Sequence, residues 1–146
     1  MQYRINTASY QQVLDHLKKC CDSFIPNLSQ KVNLVGYAKK IKDNAFTFEA
    51  WKEEELVGLV AAYFTDTINR SAFITNVSTI KQYEGTGIGS ELLNNCIRYA
   101  VKHQFREIKL HVSIGNNIAI ALYHKYGFIE KAIEAGELLM QKEILF

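Results

Sequence analysis

The feature that most constrains this chain is the octapeptide Tyr83-Glu84-Gly85-Thr86-Gly87-Ile88-Gly89-Ser90, which joins two opposite hydrophobic periodicities. Ahead of it, Ala72 to Ile80 is rich in branched and aromatic residues and reads as a strand. Behind it, Ile88, Leu92, Leu93, Cys96, Ile97, Ala100 and Val101 recur as one broad stripe, so Ile88 to Gln104 reads as an amphipathic helix. A strand must therefore turn into a helix within a few residues, and three alternating glycines stand at the turn.

Glycines let a backbone turn tightly and approach a ligand closely, while a helix start offers unpaired N–H groups and the positive end of a dipole. Such a turn suits a pyrophosphate. Two familiar nucleotide patterns do not fit it. A dinucleotide fingerprint needs G-x-G-x-x-G inside a parallel βαβ unit, and a P-loop needs a Gly-Lys-Ser/Thr ending. Here the glycine spacing differs, and the preceding strands read as a meander. By itself the glycine pattern also fits an ordinary connection.

The remaining elements follow from the same periodicities. Tyr3 to Ile5 is a short opening strand, and Ser9 with Gln12 forms a capping box for a helix to Asp22, carried by Val13, Leu17, Cys20 and Phe24 and ended by Pro26. A second helix is expected from Ser29 to Lys42. Ala45 to Trp51, Leu56 to Phe64 and Ala72 to Ile80 form an antiparallel meander. Glu107 to Ser113 is the next strand, with Lys109, His111 and Ser113 on one face. A short helix from Asn117 to Tyr126 stops at Gly127. Phe128 to Lys131 and Leu138 to Ile144 close the chain. The order β-α-α-β-β-β-α-β-α-β-β predicts an α/β fold built on a sheet of mixed direction.

At 146 residues the expectation is one domain spanning residues 1–146. The net charge of +2 is too small to suggest nucleic-acid binding. The longest apolar runs fall well short of the roughly 18 to 20 residues of a membrane span, and the N-terminus lacks a secretory pattern, so a cytoplasmic protein without a membrane partner is expected. Cys20, Cys21 and Cys96 form no C-x-x-C pair, which speaks against zinc and a disulfide framework; Cys96 falls in the apolar stripe as core filler.

With these residues in hand, the chain resembles the GNAT superfamily of acetyl-CoA-dependent N-acetyltransferases. That family carries Gln/Arg-x-x-Gly-x-Gly/Ala after its fourth strand. Glu84-Gly85-Thr86-Gly87-Ile88-Gly89 matches it except at the first position, where a carboxylate replaces glutamine or arginine. A second family pattern, N-x-x-A-I/V-x-L-Y-x-x-x-G-F, is met by Asn116, Ala119, Ile120, Leu122, Tyr123, Gly127 and Phe128. The resemblance covers about residues 45 to 130, while the first 44 residues agree only in having a strand and two helices.

The resemblance implies a mostly antiparallel central sheet flanked by helices and splayed between its fourth and fifth strands. It implies acetyl-CoA as cosubstrate, held by Val77, Thr79, Glu84, Gly85, Thr86, Gly87, Ile88, Gly89, Ser90, Asn116, Ala119 and Tyr123. It assigns Tyr123 as the acid for the departing thiolate and a backbone N–H near Thr79 as the oxyanion donor. Tyr126 reads as a core aromatic. In peptide-acetylating relatives a glutamate of the fifth strand is the base; His111 takes its place here, and histidine is suited to accept a proton near neutrality. Glu49, Tyr63, Asp66 and a water relay are alternatives. The implied function is acetyl transfer to a primary amine of a small metabolite or amino sugar, the alternatives being a protein N-terminal acetyltransferase or a non-catalytic acyl-CoA-binding module. The cluster Lys39, Lys40 and Lys42 could meet an anionic acceptor, though a solvated helix face explains it better. The partners implied are acetyl-CoA and an amine acceptor, with room for a homodimer.

Overall fold

A computed structural model describes residues 1–21, 27 and 33–145. Seven strands form one sheet: β1 (Gln2–Ile5), β2 (Phe46–Lys52), β3 (Glu55–Asp66), β4 (Ser71–Thr79), β5 (Glu107–Ser113), β6 (Ile129–Glu134) and β7 (Glu137–Glu143). Their spatial order is β1-β2-β3-β4-β5-β7-β6. All neighbours run antiparallel except β4 and β5, which are parallel because a helix returns the chain between them. The sequence-based order of elements holds throughout. What it did not contain is the insertion of β7 between β5 and β6.

The four described helices are α1 (Tyr10–Cys20), α2 (Leu34–Asn44), α3 (Ile88–Lys102) and α4 (Asn117–Lys125). The expected capping box opens α1: Ser9 Oγ accepts from Gln12 N, and Gln12 Oε1 accepts from Ser9 N. Asn33 caps α2 by accepting from Gly36 N. The part of the second helix expected from Ser29, together with Phe24 and Pro26, lies outside the described residues. Among the described residues no helix is long and apolar enough to cross a membrane.

Alternation along β3 divides the core. Val57, Val60 and Ala62 join Leu92, Leu93, Cys96, Ile108 and Phe128, while Leu59 and Ala61 pack with Val13, Leu17, Ala38 and Ile41 of α1 and α2. Cys96 is fully buried and its thiol is pushed up by that burial, as core filler requires. Val101 departs from the predicted stripe and is exposed.

Two irregularities of β4 shape the molecule. The pairing passes from Ala62↔Ile74 to Ala61↔Asn76, so β4 carries one extra residue, Thr75, opposite β3. This is a β-bulge, which bends its strand. On the other edge, β4 pairs with β5 only from Ser71↔Glu107 to Ile74↔Leu110. Beyond that point the two strands continue separately, and a gap opens at the bulge.

Candidate active site

The gap between β4 and β5 is a cleft of about 710 Å³. Its polar rims are backbone. Ile80 N donates to Val57 O at 2.9 Å, so the alternation of an antiparallel ladder turns the N–H and C=O of Thr79 and Val77 away from β3 and into the gap. At one end the cleft is closed by the glycine turn. Gly85 has φ +75° and Gly87 has φ +87°, and a Cβ built on either would find no protein atom within 4 Å. Both residues are left-handed and border open space.

Gly87 is also the N-cap of α3, with no side chain capping it; the first helical bond runs from Glu91 N to Gly87 O. The N–H groups of the first turn therefore offer themselves to a ligand, and a diphosphate is the chemistry they fit. The lining residues agree with this. They include no lysine or arginine among the described residues, but do include Glu84 and Glu137. Glu84 cannot stand in for the family's cation, so phosphate charge must be met by backbone amides and the helix dipole. The residues present thus fit the acetyl-CoA implied by the resemblance.

The structure brings nearly all of the sequence-predicted site residues to this cleft: Val77, Thr79, Glu84, Gly85, Gly87, Ile88, Gly89, Ser90, His111, Asn116, Ala119 and Tyr123. Thr86 does not line it and instead donates its hydroxyl to Tyr83 O. Asn116 is the N-cap of α4, its Oδ1 accepting from Ala119 N at 3.2 Å. That leaves its amide nitrogen and one lone pair of Oδ1 for a ligand. Tyr123 is 6% exposed and rests against Phe128, with ring centroids 5.9 Å apart. Burial pushes its phenol up, so it keeps its proton at neutral pH. Tyr126 packs against the core from a half-buried position.

His111 reaches the cleft from β5. It is exposed, packs edge-on to Phe73 at 5.4 Å and lies 3.4 Å from Glu134 Oε1. The other base candidates are placed elsewhere. Glu49 is fully buried outside the cleft and accepts from Thr7 N, Ala8 N, Thr7 Oγ1, Thr47 Oγ1 and Trp51 Nε1, which ties β1 and its loop to β2. Asp66 is half-buried at the end of β3, its carboxyl held below its ordinary value by hydrogen bonds from Asn69. Tyr63 has its hydroxyl buried without a partner and does not line the cleft. The lysine cluster is dispersed: Lys39 pairs with Asp43, Lys40 sits over the Tyr63 ring, and Lys42 donates to Ala8 O.

Sequence reasoning missed one wall. Tyr37, Phe73, Thr75, Asn76 and Ser78 also line the cleft. Tyr37 comes from α2, outside both motifs, and the β4 residues are aimed by a bulge that periodicity does not announce.

The family model described as "Acetyltransferase (GNAT) family" matches residues 7–128. An uncharacterised N-acetyltransferase of Methanocaldococcus jannaschii is 42% identical over 62 residues, which cover 42% of this chain and 27% of that protein. The spermidine N(1)-acetyltransferase of Vibrio cholerae is 32% identical over 99 residues, covering 65% of this chain and 56% of that protein. These matches thus span from about a quarter to just over half of the curated relatives' length. Among solved structures, the ribosomal-protein-S18-alanine N-acetyltransferase of Escherichia coli superposes with a TM-score of 0.81 at 18% identity, over 99% of this chain and 96% of that one. That likeness is one of fold.

Proposed function

Because the chain belongs to the GNAT acetyltransferase family, we propose that it is an acyltransferase that moves the acetyl group of acetyl-CoA directly to a primary amine of a small metabolite or amino sugar. The observation that carries the reading is the meeting, in one cleft, of a ligand-shaped glycine turn at the start of α3 and the buried phenol of Tyr123. Acetyl-CoA supplies the activated acetyl thioester. The chain's own residues do the rest. The first-turn amides of α3 hold the diphosphate, and the edge of β4 at Val77 and Thr79 offers N–H and C=O groups to the pantetheine arm and the thioester oxygen. Tyr123 keeps a proton to give to the sulfur. His111 of β5 takes one from the amine, directly or through water.

The spermidine enzyme of Vibrio cholerae supports a small amine as acceptor. A cytoplasmic setting is part of the proposal, since Cys20 and Cys96 are free and buried, as a reducing compartment allows.

Tyr123→Phe tests the reading against a non-catalytic acyl-CoA-binding module. With acetyl-CoA affinity measured by calorimetry and thiol release by a chromogenic reagent, the enzyme should keep its affinity within about twofold and lose roughly 10² in turnover. Unchanged turnover would remove Tyr123 as the acid, and absence of acetyl-CoA binding at millimolar concentration would end the acetyltransferase reading itself.

A further inference from the structure

The glycine turn brings one charged side chain to the cleft, and its sign opposes a nucleotide. Glu84 is exposed and lines the cleft beside Gly85, Gly87, Gly89 and Ser90. Its backbone is held on both sides: Glu84 N donates to Lys81 O, closing the short 3-10 turn Lys81–Tyr83, and Thr86 Oγ1 donates to Tyr83 O. The carboxylate therefore sits on a fixed segment, directly ahead of the two left-handed glycines.

Among the described residues, the charges around Glu84 do not offset it. Lys81 precedes it by three residues but does not line the cleft. Glu91, the acidic residue in the first turn of α3, lies 3.6 Å from Arg98 Nη2. On the side of α1 the nearby groups are neutral. Burial, and after it the charge of Glu84, push the Cys20 thiol up to about 12, which puts Cys20 within electrostatic reach of Glu84. His16, whose Nε2 is 3.6 Å from Cys20 Sγ, is lowered to about 4 by its own burial. Lys19 is paired with Glu55.

What meets phosphate is the start of α3, equivalent to about half a positive charge. Set against one whole carboxylate, the turn is not a cationic site. It holds a phosphate by the geometry of its N–H groups. The rest of the cleft suits a neutral chain, because the N–H and C=O groups of Val77 and Thr79 and the amide of Asn116 carry no charge. Affinity for the donor thus resides in the arm and the first-turn amides, while every further phosphate adds repulsion from Glu84.

We propose that Glu84 is a specificity-determining residue that selects against charge on the donor, so that the site accepts thioesters of 4′-phosphopantetheine, which lack the nucleotide, alongside acetyl-CoA. The proposal rests on the acetyltransferase reading for the place of the donor. Near neutral pH CoA carries about four negative charges and 4′-phosphopantetheine about two. The two share every atom from the thiol to the first phosphate. Removing the nucleotide therefore leaves the contacts of the arm intact and removes about half of the charge that Glu84 repels. The transfer balances as with acetyl-CoA: the amine nitrogen bonds to the acetyl carbon and gives up a proton, the C–S bond breaks, and the sulfur leaves as a thiol with the proton of Tyr123.

The test is calorimetry on the full chain with CoA, dephospho-CoA and 4′-phosphopantetheine, free thiols that bind without turnover. Wild type should bind 4′-phosphopantetheine within about tenfold of CoA, and dephospho-CoA at least as tightly as CoA. Raising sodium chloride from about 20 mM to about 300 mM should leave CoA affinity unchanged or improve it, because the screened interaction is a repulsion. Glu84→Gln and Glu84→Arg, each checked for a wild-type urea midpoint, should tighten CoA roughly three- to tenfold at the lower salt, arginine more than glutamine, and 4′-phosphopantetheine less. A gap wider than tenfold between CoA and 4′-phosphopantetheine, CoA affinity that falls with salt, or CoA affinity unaltered in both variants would each overturn the proposal. Failure of CoA and 4′-phosphopantetheine alike to bind wild type at millimolar concentration would end the acetyltransferase reading and this proposal with it, whereas a loss confined to 4′-phosphopantetheine strikes this proposal alone.

Discussion

Gly58 of β3 and Ile88 of α3 touch so closely that a Cβ on Gly58 would sit 2.5 Å from Ile88 Cγ2, with Leu92 Cδ1 at 3.1 Å and Ala50 Cβ at 3.3 Å. Ile88 immediately follows the N-cap Gly87, so the sheet and the first turn of α3 meet without a spacer. A β-branched side chain has little rotameric freedom to yield. Gly58→Ala should therefore push the start of α3 outward, lowering stability by about 1 to 3 kcal/mol and weakening acetyl-CoA severalfold. Urea melts and calorimetry on one preparation check both; full stability with full affinity would show that α3 is not seated this way.

Gly87 separates backbone from space. Its φ of +87° is unfavourable for a β-branched residue, yet no protein atom would meet its Cβ. Gly87→Val should leave the far-ultraviolet circular dichroism native-like and weaken acetyl-CoA at least tenfold, because the added side chain enters the cradle. Wild-type affinity in this variant would move the diphosphate elsewhere.

For His111 the expectation is that losing the imidazole slows attack by the amine, read as kcat/KM for an accepted amine. His111→Ala should cost roughly 10² to 10⁴. His111→Gln keeps a hydrogen-bonding shape beside Glu134, but an amide cannot take the proton from the amine, so it should be as slow as the alanine variant. Wild-type kcat/KM in His111→Gln would mean that the proton goes to another group or to water.

His16 makes a prediction about stability alone. Its folded value of about 4 lies below the ordinary 6.5, so between these pH values the unfolded chain binds the extra proton. Stability contributed by neutral His16 is then present above pH 6.5 and is lost as pH falls toward 4, by roughly 3 kcal/mol. Urea midpoints of wild type and His16→Gln across this range should converge as pH drops. Parallel curves would mean that the imidazole is protonated in the fold.

Much of this protein is written in local patterns. The order of elements, the left-handed glycines of the turn and the burial of Cys96 follow from periodicity and turn chemistry, each of which acts over a few neighbouring residues. The same locality explains the accurate caps: Ser9 and Gln12 are three residues apart and find each other in any context that forms the helix.

What only tertiary structure decided lies in contacts that no period announces. Glu49 was a base candidate by type and became a structural anchor because Thr7 and Ala8, more than forty positions away, bring their N–H groups to it. The lysines of α2 are close in sequence, but their side chains end at three different partners. The bulge at Thr75 and the place of β7 between β5 and β6 depend on register between strands, which the strands' own residues leave open until neighbours pair. His16 reaches Leu56 and Ser78 across 40 and 62 positions. The sequence by itself thus determined the order of elements and the glycine turn, because those are set by near neighbours; the cleft wall of Tyr37 and Thr75 was decided by packing α2 against the bulged β4, because side chains distant in sequence meet only once the strands have found their register.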